Sequence, residues 1–256
     1  MRSMTSKLRH LVVALGAAAL LPTAANAASV MTAQWFTLLP GHPDTQLTID
    51  QLQTGLVNTT LGPNGLPVRS ATSAAAPAAS SRNFKDVDAL TNELLWWTPR
   101  TGVVAVDAVR QALNPTIAEP FPGSFASGLF PGNSTLNGGN AGFTAAIFSG
   151  VFNLSTAGTV SGFLAADDDA WMFINGQLVA DNGGVKAIGS QTAFNTFLDE
   201  GNYRVDIFFA DRHTVQSGIR FDINQELAPI PEPSTYALML AGLFALGWIA
   251  RRRASM

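Results

Sequence analysis

One stretch of this chain decides its fold: Asp167-Asp168-Asp169-Ala170-Trp171-Met172-Phe173-Ile174-Asn175-Gly176-Gln177-Leu178-Val179-Ala180. Two short apolar segments flank Asn175-Gly176, the dipeptide that a type I′ turn prefers, so the stretch predicts a tight β-hairpin. Three consecutive carboxylates stand directly before the first strand of this hairpin. Such a run repels itself unless water or a cation neutralises it, which makes Asp167 to Asp169 the first candidate site.

The hairpin belongs to a longer series of predicted strands. Tyr203 to Phe209 and Ile219 to Ile223 alternate apolar with mostly polar residues, which predicts strands with one buried face and one largely solvated face. The sequence shows no internal repeat and is rich in Gly, Asn, Thr, Ala and Phe. These features predict a mainly β fold, an antiparallel β-sandwich that forms one domain over residues 28–224.

Three other segments are predicted from their composition. Ser70 to Ser81 is a run of Ser, Ala and Pro, which predicts a flexible surface loop. Between Asp86 and Asn114, Val87, Leu90 and Leu94 fall at helical spacing on one face, which predicts one or two short helices near 86–114. Phe121 to Gly142 is dense in Gly, Pro and Asn and predicts a long loop.

The first 27 residues form a predicted signal peptide. Basic residues precede an apolar stretch from Leu11 to Leu21. Ala25-Asn26-Ala27 supplies the small residues that signal peptidase needs at its cleavage site, so we predict cleavage after Ala27. The rest of the chain is therefore expected to be exported.

The end of the chain has three parts: Pro231-Glu232-Pro233, an apolar run from Thr235 to Ala250, and Arg251-Arg252-Arg253. As a helix, the apolar run would be about 24 Å long at ~1.5 Å per residue, close to the roughly 30 Å of a hydrocarbon core. Arginines after a membrane segment favour the cytoplasmic side, so residues 251–256 are predicted as a basic cytoplasmic tail. Residues 225–234 are predicted as a linker.

This three-part tail resembles the PEP-CTERM sorting signal of Gram-negative bacteria. The resemblance implies recognition by an exosortase-type membrane protease and cleavage near Pro231-Glu232-Pro233. It also implies only transient anchoring in the inner membrane, followed by delivery to the cell surface or to the extracellular polysaccharide of a biofilm matrix. An ordinary C-terminal membrane anchor remains the alternative.

Charge and cysteine content exclude several classes of function. Residues 28–230 hold nine basic and seventeen acidic residues, a net charge of −8, whereas the whole chain carries −3. A nucleic-acid partner requires the opposite sign, so we predict no nucleic-acid binding. The chain has no cysteine, which excludes disulfides, thiolate metal sites and a cysteine nucleophile.

Catalytic signatures are scarce. The sequence has no G-x-S-x-G elbow, H-E-x-x-H motif, phosphate loop or dinucleotide fingerprint. Only His42 and His213 remain after signal cleavage. We predict that the chain is not an enzyme, and a glycosidase using Asp168 and Asp211 is a distant alternative.

The stretch from Phe163 to Gly184 resembles the signature of the fibro-slime domain. That family belongs to the wider protective-antigen-type β-sandwich group, which includes carbohydrate-binding modules. Two further elements match the same family, His42-Pro43-Asp44 and the segment from Tyr203 to His213. The resemblance implies a protective-antigen-type sandwich over most of the predicted domain.

The resemblance also implies a site. In lectin-like members of the group, two aspartates joined by a cis peptide bond hold calcium, and the ion contacts sugar hydroxyls. By position, Asp167 and Asp168 match that pair, and Asp211 is the predicted third metal ligand. Further predicted ligand-binding residues are Asp169, Asn182, Gln216 and Trp171. Asp169 stands where many relatives have Gly, and Val185-Lys186 follows Gly183-Gly184 where relatives often have His.

Three interpretations of the aspartates stay open: a solvated turn, a purely structural calcium ion, and calcium that also binds sugar. Trp171 and the pair Trp96-Trp97 are expected in the core, with stacking on a sugar ring as the alternative. The leading hypothesis is an exported, exosortase-sorted surface or matrix protein whose β-sandwich binds calcium and extracellular polysaccharide. The alternative is a structural surface protein without a specific ligand.

Overall fold

The computed structural model of the chain describes residues 31–46, 48–105, 111–113, 142–213 and 217–228. The predicted signal peptide with Ala25 and Ala27, Gln216, most of the predicted loop from Phe121 to Gly142, and the sorting tail lie outside these residues. In the described part of the chain, no helix is long and apolar enough to cross a membrane. The predicted membrane segment, residues 235–250, is not in that part.

The described residues form two antiparallel sheets. The large sheet has the strand order β3-β2-β9-β8-β11-β6-β1-β4, with β5 also paired to β1, and the small sheet has the order β10-β7-β12. The elements are β1 Met31–Leu38, β2 Val57–Leu61, β3 Pro67–Arg69, α1 Ala71–Ala75, β4 Val103–Ala105, β5 Gln111–Leu113, β6 Phe143–Leu154, β7 Gly158–Asp167, β8 Asp169–Ile174, β9 Gln177–Asn182, β10 Gln191–Leu198, β11 Gly201–Ala210 and β12 Gly218–Ile223. The predicted mainly β, antiparallel fold is confirmed.

The predicted hairpin is present as β8 and β9. The two turn residues have positive φ, 47° at Asn175 and 77° at Gly176, which is the backbone that a type I′ turn requires. Trp171 pairs with Asp181 and Met172 with Ala180 across the hairpin. Because β8 also pairs with β11, this hairpin lies in the middle of the large sheet.

A first hydrophobic core lies between the two sheets and makes the fold a sandwich. The large sheet contributes Phe148, Met172 and Ile207, and the small sheet contributes Leu164 and Phe221, all buried in one cluster. On β12 the predicted alternation is confirmed, since Phe221 is buried while the neighbouring Asp222 is exposed.

A second hydrophobic core covers the opposite face of the large sheet. There Phe173 and Phe208 pack with Phe84, Trp96 and Trp97 from the segment between β3 and β4. The prediction that β11 has one largely solvated face is therefore wrong. Alternation in sequence shows that two faces differ, but a covering segment from elsewhere in the chain decides whether the second face meets water.

The predicted helices near 86–114 are not seen among the described residues of that range. Isolated bridges join Val68 to Glu93 and Val87 to Leu94, so the segment runs in extended pieces and turns. Leu90, predicted on the apolar face of a helix, is 93% exposed. Main-chain pairing, including that with β3, therefore outweighs the helical preference that the spacing of the apolar residues indicates.

The predicted loop from Ser70 to Ser81 contains a short helix, α1. Ser70 caps it, because its hydroxyl accepts a hydrogen bond from the Ser73 N–H at 3.1 Å. Ser73 is buried, and its hydroxyl donates to the Arg82 carbonyl at 2.6 Å. The short polar side chains supply the cap and the buried hydrogen bond that hold this turn, and composition alone does not predict them.

The predicted boundary at residue 224 also needs correction. Leu227 is buried in the first core, and Ala228 exchanges two 2.8 Å main-chain hydrogen bonds with Val151 of β6. The predicted linker from residue 225 is therefore packed against the sandwich up to Ala228.

Candidate functional site

The three aspartates lie where β7 ends and β8 begins, and the peptide bond between Asp167 and Asp168 is cis, as the resemblance implies. Their exposed fractions are 3% for Asp167, 1% for Asp168 and 0% for Asp169. A solvated turn is therefore excluded. We call these three residues the aspartate junction.

Hydrogen bonds from two other segments hold the side chain of Asp168. Its Oδ1 accepts the Lys186 main-chain N–H at 2.9 Å, and its Oδ2 accepts the Arg212 main-chain N–H at 2.6 Å. The first donor follows β9, and the second follows β11. The folded strands thus orient this carboxylate before any ligand arrives.

Asp169 is committed to internal contacts. Its Oδ1 accepts the Gly184 N–H at 2.6 Å, and its Oδ2 accepts Nε of Arg212 at 2.7 Å. Both partners are buried with it. The structure assigns Asp169 to an internal ion pair instead of the predicted role in ligand binding.

Arg212 connects the aspartate junction to the N-terminal part of the chain. Its guanidinium lies 5.1 Å from the ring centroids of Phe84 and Trp96, and it donates to the main-chain carbonyls of Asp44 and Ser81. The side chain is fully buried. The sequence analysis gave it no role, although an arginine beside a predicted metal ligand was a usable signal.

Asp211 is also fully buried, at the end of β11. Its Oδ1 accepts the His213 N–H at 3.2 Å, while within the described part of the chain its Oδ2 has no hydrogen-bond partner. A buried carboxylate oxygen without a partner is costly, because it has lost water and gained nothing in exchange. The Ser217 hydroxyl favours the ionised Asp211 carboxylate, although neither atom meets full hydrogen-bond geometry, and a cation at Oδ2 would compensate the lost water further.

Asp167, Asp168 and Asp211 form what we call the carboxyl cluster. Burial and then the Asp168 charge raise the pKa of Asp167 to about 7. Burial and then the Asp169 charge raise the pKa of Asp168 to about 6. Burial and the Asp168 charge raise the pKa of Asp211 well above its ordinary value. Their ionised forms are therefore destabilised at neutral pH, and a bound cation would relieve this.

Lys186 already places one cation beside the aspartate junction. Its ammonium donates to the main-chain carbonyls of Ala166 at 3.0 Å, Asp168 at 2.6 Å and Asn182 at 3.1 Å. Burial lowers the pKa of Lys186 to about 8, against the three aspartates, which act to raise it. From the sequence, this lysine is only a departure from the family pattern.

Asn182 and Trp171, both predicted as ligand-binding residues, serve packing. The Asn182 side-chain oxygen accepts the Ala166 N–H at 2.9 Å, and its amide donates to the Ser190 carbonyl at 3.0 Å. Trp171 is fully buried and donates from Nε1 to Asp181 at 2.9 Å. Trp96 and Trp97 are buried as well, so all three tryptophans belong to the core as expected.

Side chains alone do not complete a metal site. Among residues 31–228 that the structure describes, no three His, Cys, Asp or Glu side chains are grouped so that they could hold a metal ion. A calcium ion at the carboxyl cluster would need main-chain carbonyls and water as additional ligands, both of which calcium accepts.

A family model matches the C-terminal end of the chain. Residues 229–253 match the PEP-CTERM protein-sorting motif. The motif implies export, processing by an exosortase and sorting to the cell surface or the extracellular space. The resemblance of the tail to the PEP-CTERM sorting signal is thereby confirmed, while the membrane segment, the cytoplasmic tail and the cleavage position stay predictions.

Curated relatives match only part of this chain. Protein psiR of Dictyostelium discoideum is 44% identical over 61 residues, which is 23% of this chain and 6% of that protein. Protein psiE of the same organism is 48% identical over 61 residues, 23% of this chain and 12% of that protein. The chain therefore spans a small fraction of the length of these relatives.

Solved structures also resemble part of the chain. The PA14 sugar-binding domain from an RTX adhesin is 25% identical, covers 34% of this chain and 48% of its own, and gives a TM-score of 0.30. The PA14 domain of the MpAFP antifreeze protein is 18% identical and gives a TM-score of 0.28. The match covers 36% of this chain and 55% of that domain's chain. The fibro-slime assignment stays a prediction.

Proposed function

We propose that the chain is an exported surface or matrix protein of a Gram-negative bacterium, whose β-sandwich binds calcium and, through calcium, extracellular polysaccharide. The sorting motif supports export and a destination at the cell surface or outside the cell. The observation that carries the calcium proposal is the buried carboxyl cluster with the unpartnered Oδ2 of Asp211. A matrix destination makes polysaccharide the ligand class that the protein meets there.

The residues present fit calcium better than a softer metal. Carboxylate and carbonyl oxygens are the ligands that calcium prefers, and the described residues offer no cysteine and no histidine in the cluster. Because the described residues do not group three such side chains for one ion, at most two of Asp167, Asp168 and Asp211 would supply carboxylates, with main-chain carbonyls and water as the remaining ligands. Bound calcium supplies positive charge that offsets their repulsion and open coordination positions for hydroxyl groups.

Calorimetric titration of the full chain, purified in detergent micelles, is expected to show saturable calcium binding. Asp168→Asn should weaken that binding at least tenfold, because the variant removes one charge from the centre of the carboxyl cluster. Asp222→Asn is the matched control, since Asp222 is exposed on β12, and it should bind calcium as the wild type does.

Equal calcium affinity in Asp168→Asn and the wild type would place the ion elsewhere. No binding by the wild type would favour the structural surface protein without a ligand. If calcium binds, polysaccharide binding is tested next. Purified matrix polysaccharide is applied to immobilised protein in calcium, and its retention is measured before and after chelator is added. Retention that chelator does not release would contradict recognition through the ion.

Deletion of residues 231–256 should stop delivery to the cell surface and medium, because the sorting motif is lost while the signal peptide remains. Immunoblots of the periplasmic, membrane and extracellular fractions measure the change. Arg251→Ala alone is a milder control that keeps Pro231-Glu232-Pro233. Unchanged delivery of the deletion variant would show that exosortase sorting does not operate on this chain.

A further inference from the structure

We propose that Lys186 is an internal cation of the aspartate junction. Its ammonium holds the junction in its folded geometry without metal, and it competes with calcium for the negative charge of the aspartates. The first half rests on contacts within the chain. The second half rests on the proposed function, because it needs calcium to bind at the carboxyl cluster.

The ammonium is coordinated in the manner of a bound ion. A lysine ammonium has three N–H donors, and each of the three meets a main-chain carbonyl, those of Ala166, Asp168 and Asn182. These carbonyls come from the end of β7, from the residue between β7 and β8, and from the end of β9. One side chain therefore ties the aspartate junction to the end of β9.

Burial distinguishes this lysine from a surface ion pair. Lys186 is 5% exposed, although lysine is almost never buried unless its charge is compensated. The compensation is electrostatic as well as through hydrogen bonds, since the charges of Asp167, Asp168 and Asp169 all favour the ammonium form. A group held this way contributes its charge in the folded protein as long as the pH stays below the Lys186 pKa of about 8.

The same features make the ammonium a competitor of calcium. Main-chain carbonyls and carboxylates are calcium ligands, and here the Asp168 carbonyl already contacts Nζ at 2.6 Å. An ammonium that holds this carbonyl would repel a second cation that takes the same oxygen as a ligand in a buried site. Calcium affinity is therefore set by Lys186 as well as by the aspartates.

The test compares Lys186→Met with Lys85→Met in the full chain. Lys85 is exposed, so the control makes the same chemical change away from the junction. In chelator, Lys186→Met should lower the melting temperature by several degrees. In calcium, the melting temperature of the variant should return to that of the wild type. Its calcium affinity should rise at least tenfold above that of the wild type, while Lys85→Met should change neither quantity.

A purely structural lysine would lose stability on substitution without any gain in calcium affinity, so an unchanged or weaker affinity overturns the competition. An unchanged melting temperature in chelator overturns the internal-cation role. Binding by Lys186→Met but not by the wild type would support this inference while contradicting the proposed function of the wild type. If Lys186→Met does not fold in chelator, Lys186→Gln, which keeps amide donors without charge, should fold and show the same rise in affinity.

Discussion

Replacing Arg212 with methionine is expected to lower the free energy of unfolding by about 3–5 kcal/mol. The guanidinium is fully buried, and its loss leaves the Asp169 carboxylate buried without its cation. The substitution also removes the contacts with Phe84 and Trp96, so the second core loosens next to the aspartate junction. Urea unfolding followed by tryptophan fluorescence measures the change.

Arg204→Met is the matched control for this prediction. Arg204 also pairs with an aspartate, Asp206, but its side chain is 54% exposed. Asp206 is itself buried, but the Ser149 hydroxyl also contacts it and water reaches the Arg204 side, so the control should lose clearly less free energy of unfolding than Arg212→Met. Similar losses in the two variants would show that the Arg212 pair is not the buried anchor that its contacts indicate.

Replacing Trp171 with alanine is expected to lower the free energy of unfolding by about 3–5 kcal/mol. Its ring is fully buried, with centroids 5.8 Å from Phe84 and 5.9 Å from Trp96, and truncation leaves a cavity at the centre of the large sheet. It also leaves Asp181 without the indole donor. Thermal and urea unfolding should both show the loss.

Phe197→Ala provides the comparison for the aromatic substitution. Phe197 is 68% exposed on β10, so its truncation should change stability by no more than about 0.5 kcal/mol. If Trp171→Ala kept the stability of the wild type and lost only polysaccharide binding, the sugar-stacking alternative for Trp171 would replace its role in the core.

Much of the fold was predictable because its signals are local. A type I′ turn requires positive φ at both central positions, and Asn175 and Gly176 are residues that adopt it readily. The helical spacing near residue 90 was equally local and gave a wrong prediction. There, long-range pairing such as the bridge between Val68 and Glu93 outweighed the weak helix preference.

The candidate site was predictable only in its charges. Three adjacent aspartates are visible in the sequence as a candidate site. Residue spacing does not show that they are buried, that one oxygen of Asp211 has no partner, or that Lys186 contacts main-chain carbonyls. Asp168 and its donor Arg212 stand 44 positions apart in the chain. They meet because β8 and β11 pair in the large sheet.

By itself the sequence determined the hairpin, the alternation on β12, the absence of disulfides and the sorting tail, all of which depend on neighbouring residues or on linear motifs. Tertiary structure alone decided that the large sheet is covered on both faces and that Arg212 and Lys186 neutralise the aspartate junction. The physical reason is that burial and pairing of charges depend on which distant segments pack together, and that information is absent from any short stretch of the chain.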